Sequence, residues 1–487
     1  MSNFSRRSFL RTGTAAAAAF TIAPSSILGK SHGYMAPTDK LNIAGVGVGA
    51  RGAQVLRGME TENIVALCDV DWAYSKATFE KYPTAKTYYD YRKMYDEMGS
   101  SIDAVMIGTA DHTHAIITAD AMTMGKHVYT EKPLTHSVYE SRLLTKLAEK
   151  YQVATQMGNQ GASNEGVNLI CEWIWNDEIG EITKVEAQTN RPSWPQGLNP
   201  PTKAERTPRT LDWDLFIGPA KYREYHSVYH PWNWRGLWDF GTGALGDMAC
   251  HILHPVFKAL KLQYPTKVQG SSTYLLQDYA PWAQHMRLIY PRRDNLPKVT
   301  LPEVEVNWCD GGFKIDMPEG WPEGKSMNSV IFHGTKDKLI CSDYGANPWL
   351  LSGRVPNAPK TERRIEGDSP HQQDWIRACK ESAASRVKTK SDFSEAGPFN
   401  EMVVMGVLST RLQGLNKILE WDGPNMRFTN IKDDEEIRFI ISNELGLRNG
   451  RQSYNTVRTE PINAKSFAAE LIQHNYRDGW KLVDMPR

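Results

Sequence analysis

Gly47-Val-Gly-Ala-Arg-Gly52 follows an apolar run and opens a helical stretch. Few features restrict a fold so tightly. Gly47 permits a sharp turn, Gly49 lets backbone approach a pyrophosphate, and Gly52 lets the helix pack closely on the strand. The first amides of that helix are free to meet phosphate. The loop therefore predicts a dinucleotide. The next strand closes on Asp69, and an acid there hydrogen-bonds ribose hydroxyls and repels a 2′-phosphate, which favours NAD. Asp71 competes with Asp69 for that role, and Arg51 inside the loop joins the cofactor contacts.

The apolar pattern extends this reading. Residues 41–46, 64–68, 104–107, 126–129 and 153–157 read as strands. Residues 137–150 read as a helix, with apolar positions at 138, 143, 144, 147 and 148. Strand and helix in repeated alternation predict an α/β fold, with a parallel Rossmann dinucleotide-binding domain over 37–158. Beyond 159 the texture changes. Strands such as 182–187 alternate apolar and polar residues, and loops rich in Pro, Trp and Gly intervene. A C-terminal α+β domain with a large open, mainly antiparallel sheet is expected over 159–487. Helices are expected at 247–260 and 401–417. The long loop 191–240 is dense in aromatics and reads as functional.

The first 36 residues stand apart. Ser5-Arg6-Arg7-Ser8-Phe9-Leu10-Arg11 precedes a short alanine-rich run, as in a twin-arginine export signal. The run is too short for a membrane span. Export of a folded chain implies a periplasmic enzyme that carries its NAD tightly bound and turns it over in place. Six cysteines are widely spaced without a CxxC pair, which argues against a ribbon-type zinc site and for free, buried thiols. A net charge of +1 gives no electrostatic case for nucleic acid or an anionic membrane.

Two clusters carry the chemistry. Thr109-Ala-Asp111-His-Thr-His114 follows the fourth predicted strand, and Glu131-Lys132-Pro133 follows the fifth. Ligands bind at such carboxyl ends in this architecture. Farther on, Asp247 and His251 stand four residues apart, so a helix places them on one face. A carboxylate there can orient the imidazole and support its cationic form. His254 extends the stripe, but Pro255 follows at once, and no metal is expected. Tyr229, His230, Trp232, Trp234, Arg235 and Asp239 crowd the preceding loop, with Arg191, Trp194 and His226 as weaker candidates. Aromatic faces beside His, Arg and Asp suit a carbohydrate.

Together the glycine loop, Asp-His-Thr-His, Glu-Lys-Pro and Asp-x-x-x-His resemble the Gfo/Idh/MocA oxidoreductases. Leu211-Asp-Trp-Asp214, Trp234-Arg-Gly236 and His371-Gln-Gln-Asp-Trp-Ile376 resemble its exported bacterial branch. The resemblance implies NAD-dependent oxidation or reduction of a sugar or polyol secondary alcohol. It also implies a cis peptide before Pro133 and a homodimer or homotetramer built on the large sheet. His251 is then the base, Asp247 its partner, and Lys132 the group that orients the hydroxyl and stabilises alkoxide charge. Glu131 and Asn159 fall where the family contacts the nicotinamide ribose, and Asp111 and His114 line the same pocket. Ala110 departs from the proline that many relatives carry. Within this resemblance a sugar or glycoside 3-oxidoreductase comes first. A glycosidase that uses NAD transiently is the runner-up, and an inert periplasmic sugar-binding protein is the third reading.

Overall fold

The computed structural model describes residues 39–324, 329–364 and 367–486. The expected export signal, 1–36, lies outside the described residues. Six strands form the first sheet: β1 (Asn42–Val46), β2 (Asn63–Cys68), β3 (Lys86–Tyr88), β4 (Ala104–Ile107), β5 (His127–Thr130) and β6 (Thr155–Met157). All are parallel, in the order β3-β2-β1-β4-β5-β6, which is the doubly wound dinucleotide-binding arrangement. Both faces are buried, which explains why β4 is apolar throughout.

The strand period of two divides the side chains between the faces. Ile43, Leu67, Ala104, Met106 and Tyr129 share one cluster with Val55 and Leu56 of α1 (Ala50–Arg57). Ala44, Val46, Ala66, Val105 and Ile107 share the other with α2 (Tyr91–Met98), α3 (Asp111–Thr123) and α4 (Val138–Tyr151). Ser137 caps α4. Its side chain accepts from the Glu140 amide while Glu140 accepts from the Ser137 amide, so the helix start is fixed locally.

The second sheet has nine strands: β7 (Ile182–Gln188), β8 (Lys267–Ser272), β9 (Gln284–Tyr290), β10 (Val304–Cys309), β11 (Val330–Gly334), β12 (Lys338–Cys341), β13 (Trp349–Leu350), β14 (Leu419–Asp422) and β15 (Arg427–Phe428). Their order is β13-β12-β11-β7-β10-β9-β8-β14-β15. Only the β7–β10 pair is parallel, so the sheet is mixed and mostly antiparallel, as the alternating patterns predict.

The expected helix at 247–260 is two helices. α5 (Gly243–Ile252) stops at Leu253, and α6 (His254–Ala259) restarts with Pro255 in its first turn, where a missing N–H does least harm. α7 (Pro370–Lys380) returns to the first domain, and its Trp375 and Ile376 complete the cluster around Ile43, Leu56 and Tyr129. A boundary at 158 thus separates two sheets but not two cores. α8 (Phe393–Arg411) crosses the second sheet closely; a Cβ on Gly270 of β8 would lie 2.5 Å from the Ser409 carbonyl carbon. A hairpin of Ile440–Arg448 and Arg451–Arg458 projects from the body with both faces largely exposed. All six cysteines are free and buried. Among the described residues no helix is long and apolar enough to cross a membrane.

Candidate active site

A cleft of about 420 Å³ runs from the glycine loop to α5. At its first end Gly47 has φ +74°, and its amide donates to the Cys68 carbonyl at 2.8 Å. A Cβ on Gly52 would lie 1.9 Å from the Gly47 carbonyl oxygen, so only glycine permits this turn against the helix. Asp69 lines the cleft and braces the loop: one carboxylate oxygen accepts from the Val48 and Gly49 amides at 2.8 and 3.2 Å, the other from the Asp71 amide at 2.9 Å. Burial raises its pKa, and these donors oppose that. Asp71 accepts from the Ala73 and Tyr74 amides and, at 2.9 Å, meets Nε2 of His230.

At the other end, the peptide before Pro133 is cis, as expected. Lys132 Nζ donates to Oδ1 of Asp247 at 2.5 Å and to its backbone carbonyl at 3.0 Å. Arg235 Nε lies 3.4 Å from the same Oδ1. The Arg235 guanidinium also sits 3.8 and 4.3 Å from the Trp232 and Trp234 ring centres. Burial alone would raise the Asp247 pKa, but Lys132 and Arg235 outweigh it and hold the carboxylate well below its ordinary range.

His251 follows one turn later and lines the cleft, with its ring 4.5 Å from that of Tyr344. Burial first, and the Lys132 charge second, push its pKa well below 6.5, so the imidazole is neutral. Its buried Nδ1 has no hydrogen-bond partner among the described residues. This corrects the expected pairing. No hydrogen bond joins Asp247 to His251 among the described residues; the carboxylate is taken by the nearer ammonium and guanidinium, and its charge raises the His251 pKa less than burial and Lys132 lower it. The physical reason is that two fixed positive charges outcompete a neutral ring.

The remaining expected residues divide. Glu131 Oε1 accepts from Arg51 (3.3 and 3.2 Å) and from Gln160 (3.0 Å), which ties the glycine loop to the Glu-Lys-Pro turn. Thr109, Arg191, Trp194, Trp234 and Arg235 line the cleft. Asp111 also reaches it, but its carboxylate accepts from the amide and hydroxyl of Thr242 and so pins the start of α5.

Four residues are misplaced by the sequence reading. His114 is buried behind the cleft, its ring held by the Pro133 and Thr109 carbonyls. Asn159 is fully buried with neither side-chain polar atom paired, and its neighbour Gln160 faces the cleft instead. Tyr229 packs on Trp213 and Phe240 in a separate aromatic cluster. Asp239 pairs with Arg223 at 2.5 Å on the far side of that cluster. His230 does reach the cleft, but its Nε2 is taken by Asp71. His226 pairs with Glu205, and His254 meets Glu395 at 3.0 Å, beside Lys258. Among the described residues no cluster of His, Cys, Asp or Glu is arranged to hold a metal. Tyr74, Gln160, Tyr344 and Trp480 line the cleft without having been foreseen.

A doubly wound sheet with a braced glycine loop, ending in a half-buried lysine and carboxylate beside a buried histidine, belongs to the nucleotide-dependent oxidoreductases. Residues 41–159 match the NAD-binding Rossmann fold of the Gfo/Idh/MocA oxidoreductase family, and residues 184–291 match its C-terminal α/β domain. Two successive regions of the chain thus match the two domains of that family. It is 31% identical over 211 residues to an alpha-N-acetylgalactosaminidase of Shewanella oneidensis, covering 38% of this chain and 46% of the relative. It is 26% identical over 149 residues to an inositol 2-dehydrogenase of Salmonella typhimurium, covering 29% and 44%. The chain thus spans less than half the length of these curated relatives. Its fold is similar to the WlbA dehydrogenase of Chromobacterium violaceum, solved in complex with NADH and UDP-GlcNAcA. That likeness has a TM-score of 0.55 at 16% identity and covers 79% of this chain and 96% of the other.

Proposed function

We propose that this protein transfers hydride between a secondary hydroxyl of a sugar or glycoside, at the 3-position, and an NAD that stays bound between turnovers. One observation carries the reading: Lys132, Asp247 and His251 converge at the end of the cleft that begins at the glycine loop. The chain's residues fit the cofactor. The turn at Gly47 and the close packing at Gly52 leave no room for side chains where backbone must approach a pyrophosphate. Arg51, Glu131 and Gln160 form a bonded bridge on the wall of the cleft, where the nicotinamide ribose is contacted in this family. When bound, the nicotinamide supplies the hydride acceptor.

The protein's own groups manage the proton and the charge. His251, whose ring lines this end of the cleft, is the group placed to accept the hydroxyl proton; burial and the Lys132 charge lower its pKa, which favours the unprotonated ring at some cost in basicity. Lys132, fixed by Asp247, donates to the substrate oxygen and stabilises alkoxide character as the proton leaves. Trp232 and Trp234, clamped through Arg235, offer flat faces to the sugar ring, with Arg191 and Trp194 beside them. Periplasmic location after twin-arginine export belongs to this reading. So does a homo-oligomer. Leu447 and Tyr454 on the projecting hairpin are 77% and 68% exposed, and a two-stranded hairpin is marginal alone in water. A second copy of the chain is the proposed cover, and sedimentation velocity would detect it.

A second reading is an NAD-dependent glycosidase that oxidises the 3-position transiently, eliminates the aglycone and is re-reduced. The similarity to an alpha-N-acetylgalactosaminidase favours it, as does Tyr344 beside His251, a second group able to move a proton. The deciding experiment uses protein freed of loose nucleotide and a panel of glucosides and galactosides. A stoichiometric rise in reduced-nicotinamide absorbance, reversed by a ketosugar, supports the dehydrogenase. Aglycone release without a persistent rise supports the glycosidase. Sugar binding with neither signal supports an inert binding protein.

A further inference from the structure

The cleft beyond β2 and β3 is flanked by segments distant in sequence. Val70, Tyr74, Tyr89 and Tyr91 line it from the first domain. Leu215, Phe216 and His230 line it from the second, and Trp480 comes from the C-terminal tail. The covering segment is tied down along its length. Trp72 and Asp212 amides donate to the Thr210 and Val70 carbonyls at 3.0 and 2.9 Å, and Leu211 bridges Asp71 as an added strand residue. His230 Nε2 then meets Asp71 Oδ2 at 2.9 Å.

The tail backs this strap. Arg477 donates to Asp214 Oδ1 at 2.7 Å and to the Gly218 carbonyl at 2.6 Å. Its amide donates to the Pro219 carbonyl. Three residues on, Trp480 lies under the Arg92 guanidinium at 4.4 Å and beside Tyr91, with ring centres 6.4 Å apart. In a doubly wound sheet the adenosine half of a dinucleotide lies beyond the ends of β2 and β3. A ligand seated there would lie against the strap and the tail.

We propose that the strap 208–218, latched by His230 on Asp71 and backed by Trp480, retains the dinucleotide between turnovers. This rests on the reading that the cleft takes NAD, and it assigns retention to residues that touch neither the glycine loop nor the Lys132 cluster. Asp71 is therefore a latch. Asp69, which braces the loop, is the acid left for the ribose.

The test compares the full chain with His230→Ala and Trp480→Ala. NAD per chain is counted by chromatography after desalting, and exchange against isotopically labelled NAD is timed. Wild type keeps close to one NAD per chain and exchanges slowly. Each variant releases NAD roughly ten- to a hundredfold faster, the loss expected of one charge-assisted or aromatic contact. Circular dichroism identifies a variant that has not folded; Trp480→Phe, which keeps an apolar ring, then takes its place and must fall between wild type and Trp480→Ala. Folded variants that exchange at the wild-type rate overturn the latch, as does a wild type that binds NAD but exchanges it within seconds. A wild type that neither holds nor takes up NAD overturns the cofactor reading itself.

Discussion

Asp247→Asn isolates the charge at the centre of the site while keeping its shape. Two unit charges 4 Å apart interact by about 4 kcal/mol at an effective dielectric of about 20. Lys132 Nζ is nearer, at 2.5 Å, and Arg235 adds a second cation at 3.4 Å. Removing one partner of a buried pair costs about 3–5 kcal/mol, because the other charge is left uncompensated. Asn keeps one acceptor oxygen, so a loss of about 3 kcal/mol and a few degrees in Tm is expected. Lys132 also loses its fixed position, and the single-turnover rate of NAD reduction should fall by about 10²–10³ with bound NAD unchanged. A double-mutant cycle on unfolding free energies adds the sharper test. Asp247→Asn and Lys132→Met should couple by at least about 1 kcal/mol, and Asp247→Asn and His251→Ala, which share no hydrogen bond, should couple less. A larger coupling to His251 than to Lys132 would refute the assignment of the carboxylate. A variant with wild-type stability and rate would refute its importance altogether.

His251→Ala should retain NAD yet lose nearly all glycoside-dependent reduction, a fall of about 10²–10⁴ measured in single turnover. Because burial and Lys132 hold the His251 pKa well below 6.5, the wild-type rate should show no loss on acidification through pH 6.5; an inflection there that vanishes in the variant would contradict a neutral imidazole. Gly52→Ala places a methyl 1.9 Å from the Gly47 carbonyl oxygen, where backbone cannot yield cheaply. Calorimetry should report at least about tenfold weaker NAD binding and a stability loss of about 1–3 kcal/mol. Burial would raise the Glu395 pKa, but Lys258 and His254 hold it at about 2, below its ordinary 4.5. A depressed carboxylate pKa stabilises above 4.5, and that contribution is lost as pH falls towards 2. Glu395→Gln should therefore cost at most about 3 kcal/mol at pH 7 and almost nothing near pH 2, read from denaturant midpoints.

The sequence makes the parallel sheet visible where strands are buried on both faces and therefore apolar throughout, as in β4. It conceals β3, whose Lys86-Thr-Tyr88 is short, lies at the sheet edge and is largely exposed. Lys132, Asp247 and His251 were legible because each stands in a short motif, Lys132 just past a strand end and the other two one turn apart on a helix. Their partnerships were not, because distance in the fold, and not spacing on one helix, decides which cation reaches Asp247. Tyr229 and Asp239 share the composition of a sugar site, yet the loop turns them into a cluster with Trp213 and Arg223. Tyr344 and Trp480 reach the cleft from turns far along the chain, and Tyr344 does so with a left-handed backbone, φ 62°. Only tertiary folding brings them there.

The return of α7 to the first sheet has a consequence on the ribosome. The nucleotide-binding sheet is complete in sequence at Met157, but the cluster around Ile43, Leu56 and Tyr129 waits for Trp375. At about 5–20 residues per second, synthesis of the intervening chain takes roughly 10–45 s. Through that interval the nascent domain carries an unfinished apolar face, open to chaperones and to neighbouring chains. A fragment ending near residue 158 would keep that face permanently, and it would be a sticky half-core before it could be a miniature nucleotide binder.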